Sequence, residues 1–262
     1  MQAELTIPEY SRIADKKRLD FIAKVIGDNI GDKGRVLDVG CGNGIISLHL
    51  GHLGYDVQGI DVSEKAIEKA KAANKFDNVS FKTLSAEELA ASGETYDVII
   101  CSEVLEHLDQ PGSLLEKLHE SLKEGGKLIV TVPNGNGPRE LFVTRPMISI
   151  RDNHSWLWSA VNKFKRALGY SGKTTQSDAD NLDHVQFFSK KDLLKLSHHN
   201  RFKIVQFKNS NFVDDVFPFS FFANRLRFLQ RMDCRIADAL PHQCTGGFMT
   251  VWVKEGLNGS NN

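Results

Sequence analysis

The chain lacks the cysteine spacing that a disulfide framework or a cysteine zinc site needs. Its four cysteines, Cys41, Cys101, Cys234 and Cys244, form no CxxC pair in 262 residues. Cys41 and Cys101 fall in strand-like contexts, and this usage fits a reduced, cytoplasmic protein. No apolar run reaches the roughly 18 residues of a membrane-spanning helix. Met1–Lys17 is polar and charged with no apolar h-region, so no secretory leader is expected. Internal repeats and low-complexity tracts are absent too, which excludes a solenoid. Net charge is missing as well, at +0, and that argues against nucleic acid as the main partner.

What is present suffices for one substantial core: 41% of the residues are hydrophobic and 25% charged, as in ordinary globular proteins. Residues 1–262 read as a single domain. The zero net charge conceals an asymmetry. Residues 1–132 carry 15 basic against 22 acidic side chains, a net of −7, and residues 133–262 carry 18 against 11, a net of +7. The basic half either meets something anionic or simply solvates a surface.

Apolar spacing at Leu19, Ile22, Ile26 and Ile30 predicts an N-terminal amphipathic helix. Strand-like runs then follow at Arg35–Val39, Tyr55–Ile60, Val79–Leu84, Tyr96–Ser102 and Lys127–Val132. Helical patterns separate them at Ile45–Leu53, Glu64–Phe76 and Leu114–Lys123. The last is expected to open on the capping box Ser113-x-x-Glu116 and to stop at Gly125-Gly126. A second capping box, Ser189-x-x-Asp192, opens a helix through Leu193, Leu194 and Leu196, before strands at Lys203–Lys208 and Phe248–Lys254. Short apolar strands alternating with helices predict an α/β, doubly wound, mostly parallel sheet. Two long connections, residues 133–188 and 209–247, interrupt this rhythm, and long connections of this kind are usually functional.

Val36-Leu37-Asp38-Val39-Gly40-Cys41-Gly42-Asn43-Gly44 carries the chain from a buried strand into a helix, with glycines where the backbone must turn tightly. Asp61 closes the second strand, where a carboxylate can accept both hydroxyls of a ribose. The spacing is Gly-x-Gly-x-Gly, and Ile45 stands where a dinucleotide-binding loop needs its third glycine. Asp38 would repel a pyrophosphate but suits an ammonium and a sulfonium. The loop therefore reads as a site for a cationic adenosyl ligand, with backbone capping as the alternative role of Asp38.

Val36–Gly44, Asp61, Ser85-Ala86-Glu87 and Tyr96–Leu108 together resemble the successive motifs of class I S-adenosylmethionine-dependent methyltransferases, in particular the ubiquinone-pathway O-methyltransferase branch. The likeness is good over about residues 30–135 and looser over 183–254. It implies a seven-stranded Rossmann-like sheet with lid insertions, and S-adenosyl-L-methionine as cofactor. Carried over, Asp38, Gly40 and Gly42 hold the methionine moiety and Asp61 the ribose. Ala86 and Glu87 flank the adenine, Ser102 and Glu103 line the floor, and Cys41, Gly44, Val62 and Ser85 complete the set. Many relatives have Asp where this chain has Ser85.

Some relatives use a Glu-x-x-Glu-His segment and a distant His to hold a divalent metal, and Glu103-x-x-Glu106-His107 with His184 matches that pattern. Three roles stay open for Glu106, His107 and His184: metal ligands, a metal-free general base, or loop ordering. The connections are basic and aromatic, with Trp156, Trp158 and Phe164 among Lys and Arg in the first. Phe219, Phe221, Phe222 and Phe228 alternate with Arg225, Arg227 and Arg231 in the second. This composition suits an ordinary lid core, a peripheral membrane contact, a site for an anionic amphiphile or a single-stranded nucleic-acid groove. The expected reaction is O-methylation of a small-molecule, glycan or lipid acceptor. The rivals are a non-catalytic cofactor-binding scaffold, an oxidoreductase on a similar sheet, and a metal-dependent RNA 2′-O-methyltransferase.

Overall fold

The computed structural model describes residues 10–30, 34–153, 185–216, 219–223 and 225–255. His184 and the tryptophans at 156 and 158 lie outside them.

Seven strands form one sheet in the order β3-β2-β1-β4-β5-β7-β6. These are β1 (Arg35–Val39), β2 (Asp56–Asp61), β3 (Val79–Thr83), β4 (Tyr96–Ser102), β5 (Leu122–Pro133), β6 (Phe202–Asn209) and β7 (Gly247–Lys254). All neighbours are parallel except β7, which runs antiparallel to both β5 and β6. The strands read as nearly continuous apolar runs because both faces are covered. Leu37, Val39, Ile99, Cys101, Leu128 and Val130 turn to one core. Val36, Val57, Val98, Ile100 and Ile129 turn to the other.

Three helices pack on each face. Leu19, Ile22 and Ile26 of α1 (Ile13–Asn29) join α2 (Ile45–His52) and α3 (Glu64–Ala73) on the second core. Leu89 of α4 (Ala86–Ser92), Leu114, Leu115 and Leu118 of α5 (Pro111–Ser121) and Leu193 of α7 (Lys190–His199) cover the first. Beyond these lie α6 (Arg145–Asn153), α8 (Phe219–Ala223) and α9 (Arg227–Ala239).

The second capping box forms as read: Ser189 accepts from the Asp192 amide while Asp192 reaches back to the Ser189 amide. The first does not. α5 starts with Pro111 at its first turn rather than at Ser113, because proline's fixed φ already suits that position. That helix ends at Ser121, and Gly125-Gly126 lies inside β5, which begins at Leu122. Residues 74–76 leave the third helix early, with Asn74 capping Phe76 and Val79 instead. Cys41 sits in the turn after β1 and not in a strand.

The chain builds β1, β2 and β3 outward on one side, then returns to place β4 against the other edge of β1. This reversal opens a crevice at the carboxyl ends of β1 and β4, where such sheets hold ligands. β6 runs parallel to β5, so the connections after β5 and β6 both leave that same edge. Asn134 stitches their roots, its side chain donating to the carbonyls of Gln243 (3.1 Å) and Thr245 (2.7 Å).

Trp252, fully buried, fixes β7 to the first core and donates to Thr250 Oγ1 at 2.7 Å. Trp252→Ala should cost about 3–5 kcal/mol of stability, read as a lowered urea midpoint by far-ultraviolet circular dichroism.

Candidate active site

The glycine loop takes left-handed backbone at Gly40 (φ 67°), Gly42 (φ 53°) and Gly44 (φ 78°). At Gly44 a Cβ would also stand 2.6 Å from the Phe81 ring, so only glycine lets α2 start this close to β3. The Cys41 amide donates to the Ile60 carbonyl at 3.0 Å, tying the loop to β2.

Asp61 faces this loop. One carboxylate oxygen accepts from the Gly42 amide (2.9 Å) and the other from the Ser63 amide (2.8 Å). Each oxygen keeps a lone pair, so the carboxylate is oriented yet still able to accept two hydroxyl groups. Beside it Val62 is 77% exposed, an apolar side chain standing at the carboxyl edge of the sheet. Ser85 caps α4 in a capping box with Glu88, and Ala86 and Glu87 form its first turn. This helix is additional to those expected from apolar periodicity, and its signal in the sequence is Ser85-x-x-Glu88, a helix start that overlaps the Ser85-Ala86-Glu87 motif.

Asp38 lies beneath the loop, 1% exposed, accepting from the Ser47 hydroxyl at 2.6 Å. Burial lifts its carboxyl to about 7, the Ser47 bond pulls the other way, and the neighbouring Asp61 charge adds to the rise. The backbone of Ser47 also pulls the pKa down.

After β4 the chain makes an unusual turn. Glu103 is a non-glycine residue at φ 58°, held by its amide bond to the Thr131 carbonyl at 2.9 Å. Its carboxylate accepts from Thr131 Oγ1 (3.0 Å), which also meets Ser102 Oγ (2.9 Å). Arg18 of α1 reaches the same carboxylate at 3.3 Å and Asp15 at 3.1 Å. Burial opposes the Arg18 charge, but Glu103, Asp15 and Tyr10 together outweigh it and raise its pKa. Arg18 was not foreseen, although an arginine in phase with Ile22 and Ile26 on an apolar stripe was the available signal.

Glu106 is 1% exposed, and neither carboxylate oxygen has a hydrogen-bond partner among the described residues. Burial, reinforced by the Glu103 charge, raises its pKa well above the carboxylate range. His107 Nε2 lies 3.8 Å from it. The Glu106 carbonyl accepts from the Val185 and Gln186 amides, both at 2.9 Å, so the distant segment is brought to this loop. His184, the candidate ligand, falls just outside the described residues. Glu103 is engaged by Arg18 and Thr131, and among the described residues no three His, Cys, Asp or Glu side chains converge on a point. Among the described residues, Glu103, Glu106 and His107 therefore form no three-ligand metal cluster.

A cavity of about 250 Å³ opens beside Glu103, between α1, the carboxyl end of β5 and the amino end of β7. Arg12, Arg18, Glu103, Arg139 and Asp215 give it charge, while Phe248 and Met249 give it an apolar wall. Arg12 holds Asp214 at 3.2 Å, and Arg139 lies 3.7 Å from Asp215. Glu106 and His107 do not line it. Arg12 and Asp214-Asp215 escaped the sequence reading because nothing in their spacing, 202 positions apart, signals that they meet.

Residues 10–207 match the family model described as a methyltransferase domain. The ubiquinone biosynthesis O-methyltransferase of Alkalilimnicola ehrlichii is 36% identical over 128 residues, covering 48% of this chain and 51% of that protein. The chain thus spans about half the length of the curated relatives it matches. Magnesium protoporphyrin IX methyltransferase from Synechocystis PCC 6803, solved with bound SAH, superposes with a TM-score of 0.54 at 17% identity, covering 92% of this chain and 84% of that one. An S-adenosylmethionine-dependent methyltransferase from Clostridium acetobutylicum superposes with a TM-score of 0.56 at 14% identity, covering 92% of each. The chain belongs to the methyltransferase-domain family, built on the class I S-adenosylmethionine-dependent fold.

Proposed function

We propose that this chain transfers the methyl group of S-adenosyl-L-methionine to an oxygen of a small-molecule acceptor lodged in the cavity beside Glu103. The observation that carries the reading is an adjacency. The glycine loop with Asp61 lies at the end of β1 and β2, the acceptor-sized cavity lies beyond the end of β4, and Glu103 joins the two. The exposed Val62 next to the two-handed Asp61 carboxylate offers an apolar ledge and hydroxyl acceptors, the combination an adenosine needs.

When bound, the cofactor supplies a methyl group already activated by its sulfonium. Asp61 would hold the ribose and Asp38 would face the ammonium, while Val62, Ser85, Ala86 and Glu87 would border the adenine. The chain's own work is positional. Arg18 and Thr131 hold Glu103 so that it accepts from the acceptor hydroxyl, and α1 with the root of the connections keeps water out. His107 and Glu106 lie outside the cavity and order the loop that follows Glu103. The two connections, residues 133–188 and 209–247, would act as the lid.

S-adenosylhomocysteine should raise the melting temperature and NAD should not; the reverse would make the chain an oxidoreductase. Asp61→Ala should weaken the homocysteine analogue by about ten- to hundredfold, the loss of charge-assisted hydrogen bonds, measured by calorimetry.

Asp38 must ionise to meet an ammonium. Cofactor affinity should therefore rise with pH up to about 7 and then level, falling about tenfold per unit below that. Asp38→Asn should remove this dependence. The unliganded protein should show the opposite trend. A carboxyl whose native pKa is raised binds more protons folded than unfolded, so its contribution to stability fades as pH rises from about 4 to about 7.

Glu103→Gln should lower kcat by about a hundredfold while shifting cofactor affinity less than about threefold. Unchanged turnover in that variant would leave the cavity without its acceptor-orienting group.

A further inference from the structure

The helix α9 is turned inside out for a helix of a globular protein. Its inward residues are Gln230, Asp233, Cys234 and Ala237, two of them strongly polar. Asp233 accepts from the Phe212 and Val213 amides, both at 2.8 Å. Gln230 accepts from the Ile13 amide at 2.9 Å and donates to the Ala223 carbonyl. Lys17 of α1 donates to the Cys234 carbonyl and pairs with Asp238 at 2.7 Å. The polar side of α9 thus anchors α1 and the loop that carries Asp214 and Asp215.

The apolar residues point outward. Phe228, Met232 and Ile236 recur every four residues on one stripe and are 57%, 50% and 43% exposed. Phe222 and Leu226 extend the patch into the turn before the helix, at 55% and 45%. Arg227, Arg231 and Arg235 run beside the stripe, each one position earlier. They are exposed and make no ion pair among the described residues. Arg225 lies over the Phe221 ring at 3.8 Å. The one exposed acid of α9, Asp238, is already engaged by Lys17.

We propose that this face docks on an anionic lipid surface, α9 lying in the plane of the headgroups. A second protein or a second copy of the chain would also cover apolar side chains. The unpaired arginines alternating with them favour the lipid. Arginines can snorkel to phosphates while their stems and the Phe, Met and Ile side chains enter the acyl boundary. A 13-residue helix is about 20 Å long, enough to lie on a bilayer. Among the described residues no helix is long and apolar enough to cross one. The polar back of α9 holds the wall of the cavity, so docking would set the acceptor cavity at the membrane surface.

The test is co-sedimentation of the purified chain with vesicles, with neither cofactor nor acceptor present, so that its outcome stands apart from the methyl-transfer reading. Vesicles of phosphatidylcholine mixed with phosphatidylglycerol should bind the chain far more tightly than phosphatidylcholine alone, and salt should weaken the binding. Replacing Arg227, Arg231 and Arg235 together by Gln should cost on the order of a hundredfold in partitioning. Phe228→Ser with Ile236→Ser should lose binding as well, with the melting temperature held because these side chains lie outside the core. Equal binding to neutral vesicles, or no binding to either, would overturn the proposal. So would a concentration-dependent dimer in solution abolished by the Phe228 and Ile236 changes, since the face would then belong to a second copy.

Discussion

The meeting of Arg18 with Glu103 is the interaction on which the site depends. Glu103 occupies left-handed backbone that an ordinary residue adopts at a cost of about 1–2 kcal/mol. It stays there because its amide is bound by the Thr131 carbonyl and its carboxylate by Thr131 and Arg18. The pair welds α1 to the carboxyl ends of β4 and β5. Removing either partner would strand a charge in a site largely shielded from water, and such losses are severe even where the intact pair adds little net stability. The pair also fixes the position of the cavity, whose near wall is Glu103 and whose roof is the first turns of α1.

From that weld the polar structure spreads outward as a chain of dependencies. Arg12 reaches Asp214, Asn211 braces Asp214 at 2.6 Å, and Asp233 of α9 holds the preceding amides. The buried surface here is unusually polar for a protein interior, and most of its groups find a partner, although Arg18 Nε and Asp215 Oδ1 make no hydrogen bond among the described residues. Glu106 is another exception, buried without a hydrogen bond among the described residues, and burial raises its pKa well above the usual carboxylate range. The electrostatics thus divide the carboxylates by environment. Asp61 is oriented by two amide donors, Asp38 is sealed with Ser47, Glu106 is buried, and Glu103 shares the cavity with Asp15, Asp215 and the arginines.

The same connection that closes the cavity shows its apolar side to the outside. α9 carries its polar face inward because α1 and the 211–215 loop need hydrogen-bond partners there. The Phe, Met and Ile residues that such a helix would normally bury are left on the surface. Composition alone recorded aromatics and arginines in this stretch but not which face each would take, since the facing depends on what α9 packs against.

The sequence by itself determined the doubly wound sheet, its seven strands, the glycine loop and the carboxylate at the end of β2. These rest on local physics: apolar runs of strand length, helical periodicity, glycines at turns and capping boxes such as Ser189-x-x-Asp192. Local signals also compete, as at α5, where Pro111 outweighs Ser113, and at α4, where Ser85 is both a helix cap and part of a ligand-binding motif. The tertiary structure alone decided that β7 inserts antiparallel between β5 and β6, and that Asp38 faces Ser47 beneath the loop. It decided likewise that Arg18, Glu103, Arg12 and Asp215 surround one cavity. Those contacts join residues up to two hundred positions apart, and side-chain partners at such separations are chosen by packing and desolvation in the folded chain, which leave no periodic trace along it.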